Sequence, residues 1–353
     1  MIKIKTRLKI VIVGFGGMGE QHSRSLKNNE HLEVVGVYDI LEKQRLLAKF
    51  NGLKAYDSFE EVLEDKDISA ILIATPNDTH KDLAIKALEN GKHVICEKPV
   101  TTNAKDLEAI LEIQKTTGKT FMVHQNRRWD EDYLTIKNIY DSKRLGELYR
   151  IEQRVYGSRG IPGDWRKYER FGGGMLLDWG VHMLDRLLIM IPEKIKSLYC
   201  SLSYVLEEEV DDGYKVFIEF ESGKTALVEV GTTNLIPLPK WYCTFQRGTA
   251  IIEDWEMNGK IVELTNYDEA DAKPIVAGAG LTKTMAPRTD NSTKTSDLEI
   301  IRRSHLEFYQ NFYEVIHGQA DPLIKNQEVL RVMKVIDALF LSAKTNQVIE
   351  YKD

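Results

Sequence analysis

Residues 9–19 of the chain read KIVIVGFGGMG, an apolar run followed by the pattern Gly-x-Gly-x-x-Gly. The run predicts a buried strand, and the residues from Glu20 to Lys27 suit a helix. A strand, a tight glycine turn and a helix N-terminus form a site for a diphosphate, because the free amides and the positive end of the helix dipole face the negative charge. Gly14 permits the turn, Gly16 lets the backbone approach the ligand, and Gly19 allows close packing of helix on strand.

A carboxylate stands where such a site needs one. A second apolar strand, predicted over residues 32–38, ends in Asp39, twenty residues after Gly19. An acid at this distance is expected to bind the adenosine ribose and to repel a 2′-phosphate. The two residues after Asp39 are apolar and would not reverse this preference, although Lys43 or Arg45 could fold back. We therefore expect NAD as the cofactor, with NADP as the alternative.

The composition excludes several classes of protein. The chain has 353 residues, enough for two domains, with 42% hydrophobic and 29% charged residues and a net charge of −6. This charge, without a long basic run, argues against nucleic acid and anionic membranes as partners. Residues 1–9 lack the apolar core of a signal peptide, and no segment approaches the roughly 20 apolar residues of a membrane span. The three cysteines are widely spaced, so we expect a reduced, cytoplasmic protein.

The first third of the chain alternates predicted strands and helices, which indicates parallel strands joined by crossover helices. We therefore expect an α/β fold with a doubly wound parallel (Rossmann) sheet, in a dinucleotide-binding domain of residues 1–125. In such a sheet the ligand lies at the carboxyl ends of the strands. The distinctive short motifs all fall at that edge: the glycine turn, Asp39, Thr75-Pro76-Asn77 and Glu97-Lys98-Pro99.

Beyond residue 125, predicted strands follow one another with short turns. This pattern indicates an α+β substrate and oligomerisation domain over residues 126–353, with a large, open, mostly antiparallel sheet. Glu221-Ser222-Gly223-Lys224 is predicted to be a hairpin turn in it. Residues 267–296 carry few signals of regular structure and are interpreted as a long loop. Helices are predicted over Ser296 to His317 and Gln327 to Lys344, and these could pack back on the first domain.

An apolar helix, predicted from Met175 to about Met190, carries a narrow polar wedge. The wedge spans about 100° and contains Asp178, His182, Asp185 and Arg186. Two interpretations stay open: Asp178 and His182, one turn apart, face a cleft and do chemistry, or they bond each other in a structural network. One Asp/His pair supplies too few ligands for a metal ion, so no metal is expected.

Lys98 is the second candidate for chemistry, because it follows a predicted buried strand where a nicotinamide ring would lie if the dinucleotide begins at Gly14. A partly desolvated lysine can exchange a proton near neutral pH, whereas a surface lysine only buries its stem. Lys98, Asp178 and His182 together suit the oxidation of a secondary alcohol. One group accepts the hydroxyl proton as hydride leaves the carbon, and a cation stabilises the developing alkoxide.

These motifs resemble the glucose–fructose oxidoreductase/inositol dehydrogenase/MocA family of NAD(P)-dependent oxidoreductases. The resemblance rests on the glycine turn, Ala74-Thr75-Pro76-Asn77 with His80, Glu97-Lys98-Pro99, and Gly173-Gly174 followed by Asp178-x-x-x-His182. It covers essentially the whole chain and implies that Lys98, Asp178 and His182 form the catalytic group beside the nicotinamide. Which of Lys98 and His182 is the base varies between members of the family, and we assign that role to His182.

The resemblance also implies contacts to cofactor and substrate. The expected cofactor-binding residues, from the glycine turn and the resemblance together, are Gly14, Phe15, Gly16, Gly17, Met18, Gly19, Asp39, Thr75, Asn77, His80, Glu97, Lys98 and Arg127. The segment Asn126-Arg127-Arg128-Trp129 is most similar to the inositol and sugar dehydrogenases. Trp165 and Arg166 have family counterparts near the site and are expected to contact substrate; alternatively, Trp165 covers the domain junction.

The sequence thus predicts an NAD(P)-dependent oxidoreductase that transfers a hydride between nicotinamide and a secondary hydroxyl of a sugar, a polyol or an inositol-like cyclitol. Two alternatives stay open: a non-catalytic NAD(H)-sensing regulator of the same fold, and NAD-dependent glycoside cleavage. A homodimer or homotetramer is expected, because one strand face of the second domain is apolar and the opposite face is partly so. The first face carries Tyr214, Val216, Ile218 and Phe220, and the second carries Phe217 and Leu227.

Overall fold

The N-terminal part of the protein is a parallel sheet with crossover helices. The structure, a computed structural model, describes residues 7–267 and 273–352. The strands are β1 (Leu8–Val13), β2 (Leu32–Tyr38), β3 (Lys54–Tyr56), β4 (Ala70–Ile73), β5 (His93–Glu97) and β6 (Phe121–His124). The helices are α1 (Gly17–Leu26), α2 (Glu42–Phe50), α3 (Phe59–Glu64), α4 (His80–Glu89) and α5 (Ala104–Thr117).

The strand order β3-β2-β1-β4-β5-β6 confirms the doubly wound fold. Strand β4 is buried along its whole length, as expected for an apolar strand with helices on both faces of the sheet. The order reverses between β1 and β4, and ligands of such sheets bind at the carboxyl ends of the strands beside this point. Local signals fix the helix ends: the Ser58 hydroxyl caps α3, and Gly118 ends α5 in the left-handed region.

The C-terminal part contains a second, larger sheet. Its elements begin with α6 (Glu131–Ser142), β7 (Leu148–Tyr156), a π-helical turn (Leu176–Gly180) and α7 (Val181–Met190). The strands that follow are β8 (Ile195–Ser203), β9 (Gly213–Phe220), β10 (Thr225–Gly231), β11 (Trp241–Phe245), β12 (Gly248–Ile252), β13 (Gly259–Leu264), β14 (Ile275–Ala277), β15 (Gly280–Thr282) and β16 (Thr293–Ser296). The chain ends with α8 (Glu307–Ile316), α9 (Asn326–Thr345) and β17 (Ile349–Glu350).

The second sheet is mixed and mostly antiparallel, as predicted. Nine strands pair in the order β16-β13-β12-β11-β7-β10-β9-β8-β17, and β14 pairs separately with β15. The parallel pair is β7 with β10, at the centre of the sheet. The β9–β10 connection is the expected hairpin, in which Gly223 has a φ of 84°. Tyr214, Val216, Ile218 and Phe220 of β9 are all buried.

Two predictions about the later part of the chain are wrong. Residues 267–296 contain the β14–β15 hairpin and strand β16, although 268–272 of this predicted loop lie outside the described residues. The helix expected from Ser296 begins only at Glu307. The residues before it are held in non-helical conformation by tertiary contacts: the Ile301 amide donates to Thr135 Oγ1 at 3.1 Å, and Arg302 pairs with Glu131 at 3.0 Å. Such contacts override local helix propensity.

The last two helices contact the first sheet. Asn326 Nδ2, at the start of α9, donates to the Phe121 carbonyl of β6 at 3.0 Å. Farther along α9, Asp337 accepts a hydrogen bond from the Ala104 amide at 3.0 Å, at the start of α5.

None of the helices in the described part of the chain is long and apolar enough for a membrane crossing. All three cysteines are buried and reduced.

Candidate active site

The glycine turn after β1 has the shape of a diphosphate cradle. Gly14 has a φ of 92°, and a Cβ there would lie 2.7 Å from the Ala74 backbone. A Cβ on Gly19 would lie 2.1 Å from the Gly14 carbonyl oxygen, so both glycines are needed for packing. At Gly16 and Gly17 a Cβ would meet no atom within 4 Å. The first turn of α1 has no side-chain cap, so its amides and this open space fit a dinucleotide diphosphate.

Asp39 lies at the end of β2 beside the glycine turn, as predicted. Its Oδ2 accepts a hydrogen bond from the Phe15 amide at 2.7 Å, and its Oδ1 accepts one from the Leu41 amide at 2.8 Å. The carboxylate therefore ties the end of β2 to the glycine turn. Arg45 does fold back, and its Nη1 donates to the Asp39 carbonyl at 2.7 Å. An arginine near the expected ribose 2′ position weakens the discrimination against a 2′-phosphate.

Three other predicted cofactor residues have their side chains engaged within the protein. Thr75 Oγ1 and Thr79 Oγ1 are 2.7 Å apart, and buried Asn77 donates through Nδ2 to the Gly172 carbonyl at 2.8 Å. His80 is fully buried, with its ring nitrogens 2.8 and 2.9 Å from the carbonyl oxygens of Thr75 and Pro99. His80 thus connects the loop after β4 to the loop after β5. The cofactor contacts expected for these residues remain predictions.

Lys98 and Asp178 join the two parts of the molecule. Lys98 follows β5, and its Nζ donates to Asp178 Oδ1 at 2.9 Å and to the Asp178 carbonyl at 3.0 Å. Arg166 Nε lies 3.4 Å from Asp178 Oδ2, so the carboxylate is shared by two cations. Burial alone would raise the pKa of Asp178, but the charges of Lys98 and Arg166 outweigh it and hold that pKa below its ordinary value. Asp178 is therefore ionised.

The helix that carries Asp178 and His182 begins with the π-helical turn Leu176–Gly180. Such turns are frequent at functional sites. Asp211 supports this turn from below: its Oδ2 accepts a hydrogen bond from the Leu176 amide at 2.9 Å. Gly174 precedes the turn with a φ of 95°, and a Cβ there would lie 2.3 Å from Asp211 Oδ1. The glycine before the Asp-x-x-x-His pattern is therefore required by this close approach.

His182 is buried, and its Nδ1 has no hydrogen-bond partner within the described residues. Burial and the nearby positive charges of Lys98 and Arg127 lower the pKa of His182 well below its ordinary value. The imidazole is thus neutral and keeps a lone pair on one ring nitrogen. Arg127 stacks on Trp179 at 4.2 Å and pairs with Asp130 at 2.9 Å, while its buried Nε has no hydrogen-bond partner in the part of the chain that the structure describes. Buried polar groups without a protein partner are able to bind a polar ligand.

The polar wedge on this helix serves two purposes. Asp178 bonds Lys98 and Arg166, as described above, which supports the interpretation that Asp178 and His182 face a cleft. The other two residues of the wedge, Asp185 and Arg186, belong to an internal ion-pair network. Arg128 pairs bidentately with Asp185 at 2.7 and 2.8 Å, and Arg186 lies 3.4 Å from Asp132.

A buried hydrogen-bond network beside Lys98 was not found from the sequence. Glu97 Oε1 accepts from His22 Nε2 and from His124 Nδ1, each at 2.7 Å, and Glu97 Oε2 accepts from the Lys98 amide at 3.1 Å. Tyr309 Oη, on α8, lies 2.7 Å from His22 Nδ1. The two imidazoles and the carboxylate could also ligate a metal, but 2.7 Å separations are those of hydrogen bonds.

Of this network, the sequence identifies Glu97, in Glu97-Lys98-Pro99, whereas His22 could have been noticed as a histidine one turn after the glycine pattern. The Glu97 carboxylate is directed to the two histidines, so any cofactor contact from this residue would be made by other atoms. Trp165 lies under the Arg166 guanidinium at 4.5 Å, which brings both residues expected to contact substrate to the Asp178 side of the site.

Comparisons with known proteins agree with this fold. Residues 8–125 match the model of an oxidoreductase family with an NAD-binding Rossmann fold, and residues 133–250 match the GFO/IDH/MocA C-terminal domain. An inositol 2-dehydrogenase of Salmonella typhimurium is 31% identical over 63% of this chain and 67% of its own. A scyllo-inositol 2-dehydrogenase (NADP(+)) of Bacillus subtilis is 23% identical over 98% of both chains.

A solved structure is also closely similar. The crystal structure of an NAD-binding protein from Listeria innocua is 50% identical, with a TM-score of 0.95 over 98% of this chain and 100% of that one. The fold and the site define an oxidoreductase that uses a nicotinamide cofactor. The chain belongs to the glucose–fructose oxidoreductase/inositol dehydrogenase/MocA family.

Proposed function

We propose that the protein is an NAD-dependent dehydrogenase that oxidises a secondary hydroxyl of an inositol-like cyclitol, a polyol or a sugar. The observation that carries the proposal is the 2.9 Å bond between Lys98 and Asp178, with the neutral imidazole of His182 on the same helix. A bound nicotinamide would accept the hydride. His182 accepts the hydroxyl proton, and the Lys98 ammonium stabilises the negative charge that develops on the oxygen.

The surroundings of these residues favour a substrate with several hydroxyl groups. Asp178 is an acceptor, Arg166 and Arg127 are donors, and Nδ1 of His182 and Nε of Arg127 are buried without partners within the described residues. Such a set of donors and acceptors matches neighbouring hydroxyls on a ring. The names of the Salmonella and Bacillus relatives point to inositols as the first candidates.

NAD is the proposed cofactor because Asp39 places a carboxylate where the ribose hydroxyls would bind. Arg45 and the NADP(+)-dependent Bacillus relative make NADP the alternative to be tested. The side chains that would hold the dinucleotide are those around the glycine turn and Asp39. Lys98 and Arg127 would lie at the nicotinamide end.

A cytoplasmic location is part of the proposal. A homodimer or homotetramer is also proposed, because one face of the second sheet combines ion pairs with apolar residues. Arg154 lies between Glu152 and Glu229, and Lys215 pairs with Glu229 at 3.2 Å. Beside this cluster, Phe217 is 46% exposed. A sheet face with exposed apolar side chains is often covered by another subunit.

The test is an absorbance assay for NADH or NADPH with the purified protein, each cofactor, and a panel of inositols and aldoses. We expect oxidation of at least one cyclitol or sugar, faster with NAD. The matched control is Lys98→Met, which keeps the stem but removes the ammonium. It should lower kcat about 100-fold or more while NAD still binds.

Two outcomes would contradict the proposal and identify an alternative. Tight NAD binding without oxidation of any compound in the panel would indicate an NAD(H)-sensing regulator. Release of free sugar from a glycoside without accumulation of NADH would indicate glycoside cleavage.

A further inference from the structure

The buried network around Glu97 carries an inference about the neighbouring lysine. We infer that Glu97, His22 and Tyr309 are positioning residues that fix the backbone of Lys98 and thereby the place of its ammonium group. The inference rests on the proposed function, in which Lys98 is catalytic. Lys98 is fixed at both ends: its amide donates to Glu97 Oε2 at 3.1 Å, and its Nζ donates to Asp178 Oδ1 at 2.9 Å.

Only one arrangement of protons satisfies the network. An ionised carboxylate accepts hydrogen bonds and donates none, so His22 Nε2 and His124 Nδ1 must both carry protons. Burial raises the pKa of Glu97, but the electrostatic interaction with His124 and the hydrogen bonds from His124 and His22 outweigh it and hold that pKa well below its ordinary value. Burial also lowers the pKa of His22, which keeps its ring neutral. His22 Nδ1 therefore accepts its 2.7 Å hydrogen bond from the Tyr309 hydroxyl.

The Tyr309 hydroxyl thus selects the tautomer of His22. Without it, the His22 proton could move to Nδ1, and Nε2 would then present a lone pair to the Glu97 carboxylate. The carboxylate would rotate to avoid this repulsion and would release the Lys98 amide. His22, His124 and Tyr309 border a cavity of about 240 Å³ that also adjoins Met18 of the glycine turn.

The network also connects the elements whose relative positions matter for hydride transfer. His22 lies on α1, which begins at the glycine turn, while Glu97 ends β5 immediately before Lys98. Tyr309 comes from α8, 287 residues after His22. A chain of hydrogen bonds of 2.7 Å thus fixes the separation between the diphosphate cradle and the lysine. In a reaction that needs reacting groups in contact, a small displacement of the lysine lowers kcat more than it lowers cofactor affinity.

The experiment uses the full chain and the variants Tyr309→Phe and His22→Leu, with His22→Gln as the conservative rescue because its amide can still donate to Glu97. The control is Tyr56→Phe, which removes another tyrosine hydroxyl with a 2.7 Å hydrogen bond, here to Asp65; Tyr56 lies in the same sheet as Glu97. The first readout needs no substrate: the rate at which acetic anhydride labels Lys98, relative to exposed Lys86, followed by mass spectrometry.

We expect Lys98 to be labelled about threefold faster or more in Tyr309→Phe and His22→Leu. In these variants the Lys98 backbone is released, so its ammonium is paired with Asp178 for a smaller fraction of the time. His22→Gln and Tyr56→Phe should label like the wild type. With a cyclitol that the wild type oxidises, kcat should fall about tenfold in Tyr309→Phe while the Kd for NAD changes by less than about twofold.

The inference is overturned if Lys98 labelling is unchanged in Tyr309→Phe and His22→Leu, or if Tyr56→Phe raises it equally. A parallel loss of NAD affinity and kcat would also overturn it, since that result describes a general loosening of the fold. A change in labelling in a protein that oxidises no cyclitol or sugar supports the positioning of Lys98 and contradicts the proposed function alone.

Discussion

Asp211 is a buried carboxyl that supports the turn carrying Asp178. Burial raises its pKa to about 7, despite hydrogen bonds from the backbone amides of Leu176 and neighbouring residues. In the unfolded chain an aspartate has a pKa near 3.9. Between about pH 4 and pH 7 the folded state therefore holds a proton that the unfolded state has lost, so this residue makes the protein less stable as the pH rises.

We predict that the Asp211→Asn variant, whose side chain cannot ionise, gains stability relative to the wild type as the pH increases. The difference in the free energy of unfolding, variant minus wild type, should rise by about 2 to 4 kcal/mol between pH 4.5 and pH 7.5. Urea denaturation at several pH values measures it. A difference that stays constant over this range would show that Asp211 is ionised throughout in the folded protein.

At the residue scale, the sequence predicted the groups that carry recognisable patterns. Lys98, Asp178 and Asp39 are placed as the motifs indicated. The hydrogen-bond partners of Glu97 could not be predicted, because they are 75 and 27 residues away and Tyr309 is farther still. No local pattern encodes such a pairing. His80 shows a second limit: the motif marks its position, but its full burial appears only with the fold.

The π-helical turn is the element most dependent on one glycine. Gly174 combines a φ of 95° with a Cβ position only 2.3 Å from Asp211 Oδ1, whereas Gly223 has a similar φ of 84° with no atom within 4 Å. Both positions are strained for alanine, but only Gly174 also meets a steric clash. Substitution of Gly223 therefore measures backbone strain alone, whereas substitution of Gly174 measures the same strain together with a steric clash.

We predict that Gly223→Ala lowers the free energy of unfolding by about 1 kcal/mol and that Gly174→Ala lowers it by about 2 kcal/mol more. Gly174→Ala should also reduce dehydrogenase activity, because the turn that it displaces carries Asp178. Chemical denaturation and the NADH assay measure these effects. Equal destabilisation by the two variants would mean that Asp211 moves aside at little cost.

Periodicity predicted most elements within a few residues, since apolar strands and amphipathic helices carry their own signals. It failed where distant residues decide the conformation. Residues 297–306 have a composition suited to a helix. The Ile301 amide nevertheless donates its hydrogen bond to Thr135 and not to a carbonyl one helical turn earlier. Strand β16 is polar along its length, and only pairing with β13 defines it.

At the scale of the whole molecule, the proposed assembly uses the second face of the large sheet. Phe217 lies on the second face of the large sheet, beside the Arg154 ion-pair cluster. We predict that light scattering gives a multiple of the 40.5 kDa chain mass. Phe217→Glu should weaken association about tenfold or more, because it places a charge among apolar contacts.

The control for this prediction is Phe50→Glu, at the end of α2, where the wild-type side chain is 87% exposed. It should leave the mass unchanged. A wild-type protein that runs as a monomer at all concentrations would rule out the proposed assembly. Dissociation by both variants alike would place the interface elsewhere.

The hydrogen bond between Asn326 and the Phe121 carbonyl has a consequence for synthesis of the chain. The two residues are 205 positions apart, and α9 contacts both β6 and α5. At a ribosomal rate of about 5 to 20 residues per second, roughly 10 to 40 s pass between the synthesis of β6 and that of α9, the helix that covers it. During that interval the nascent sheet exposes apolar surface at β6, which is the period when a chaperone would be of most use to this protein.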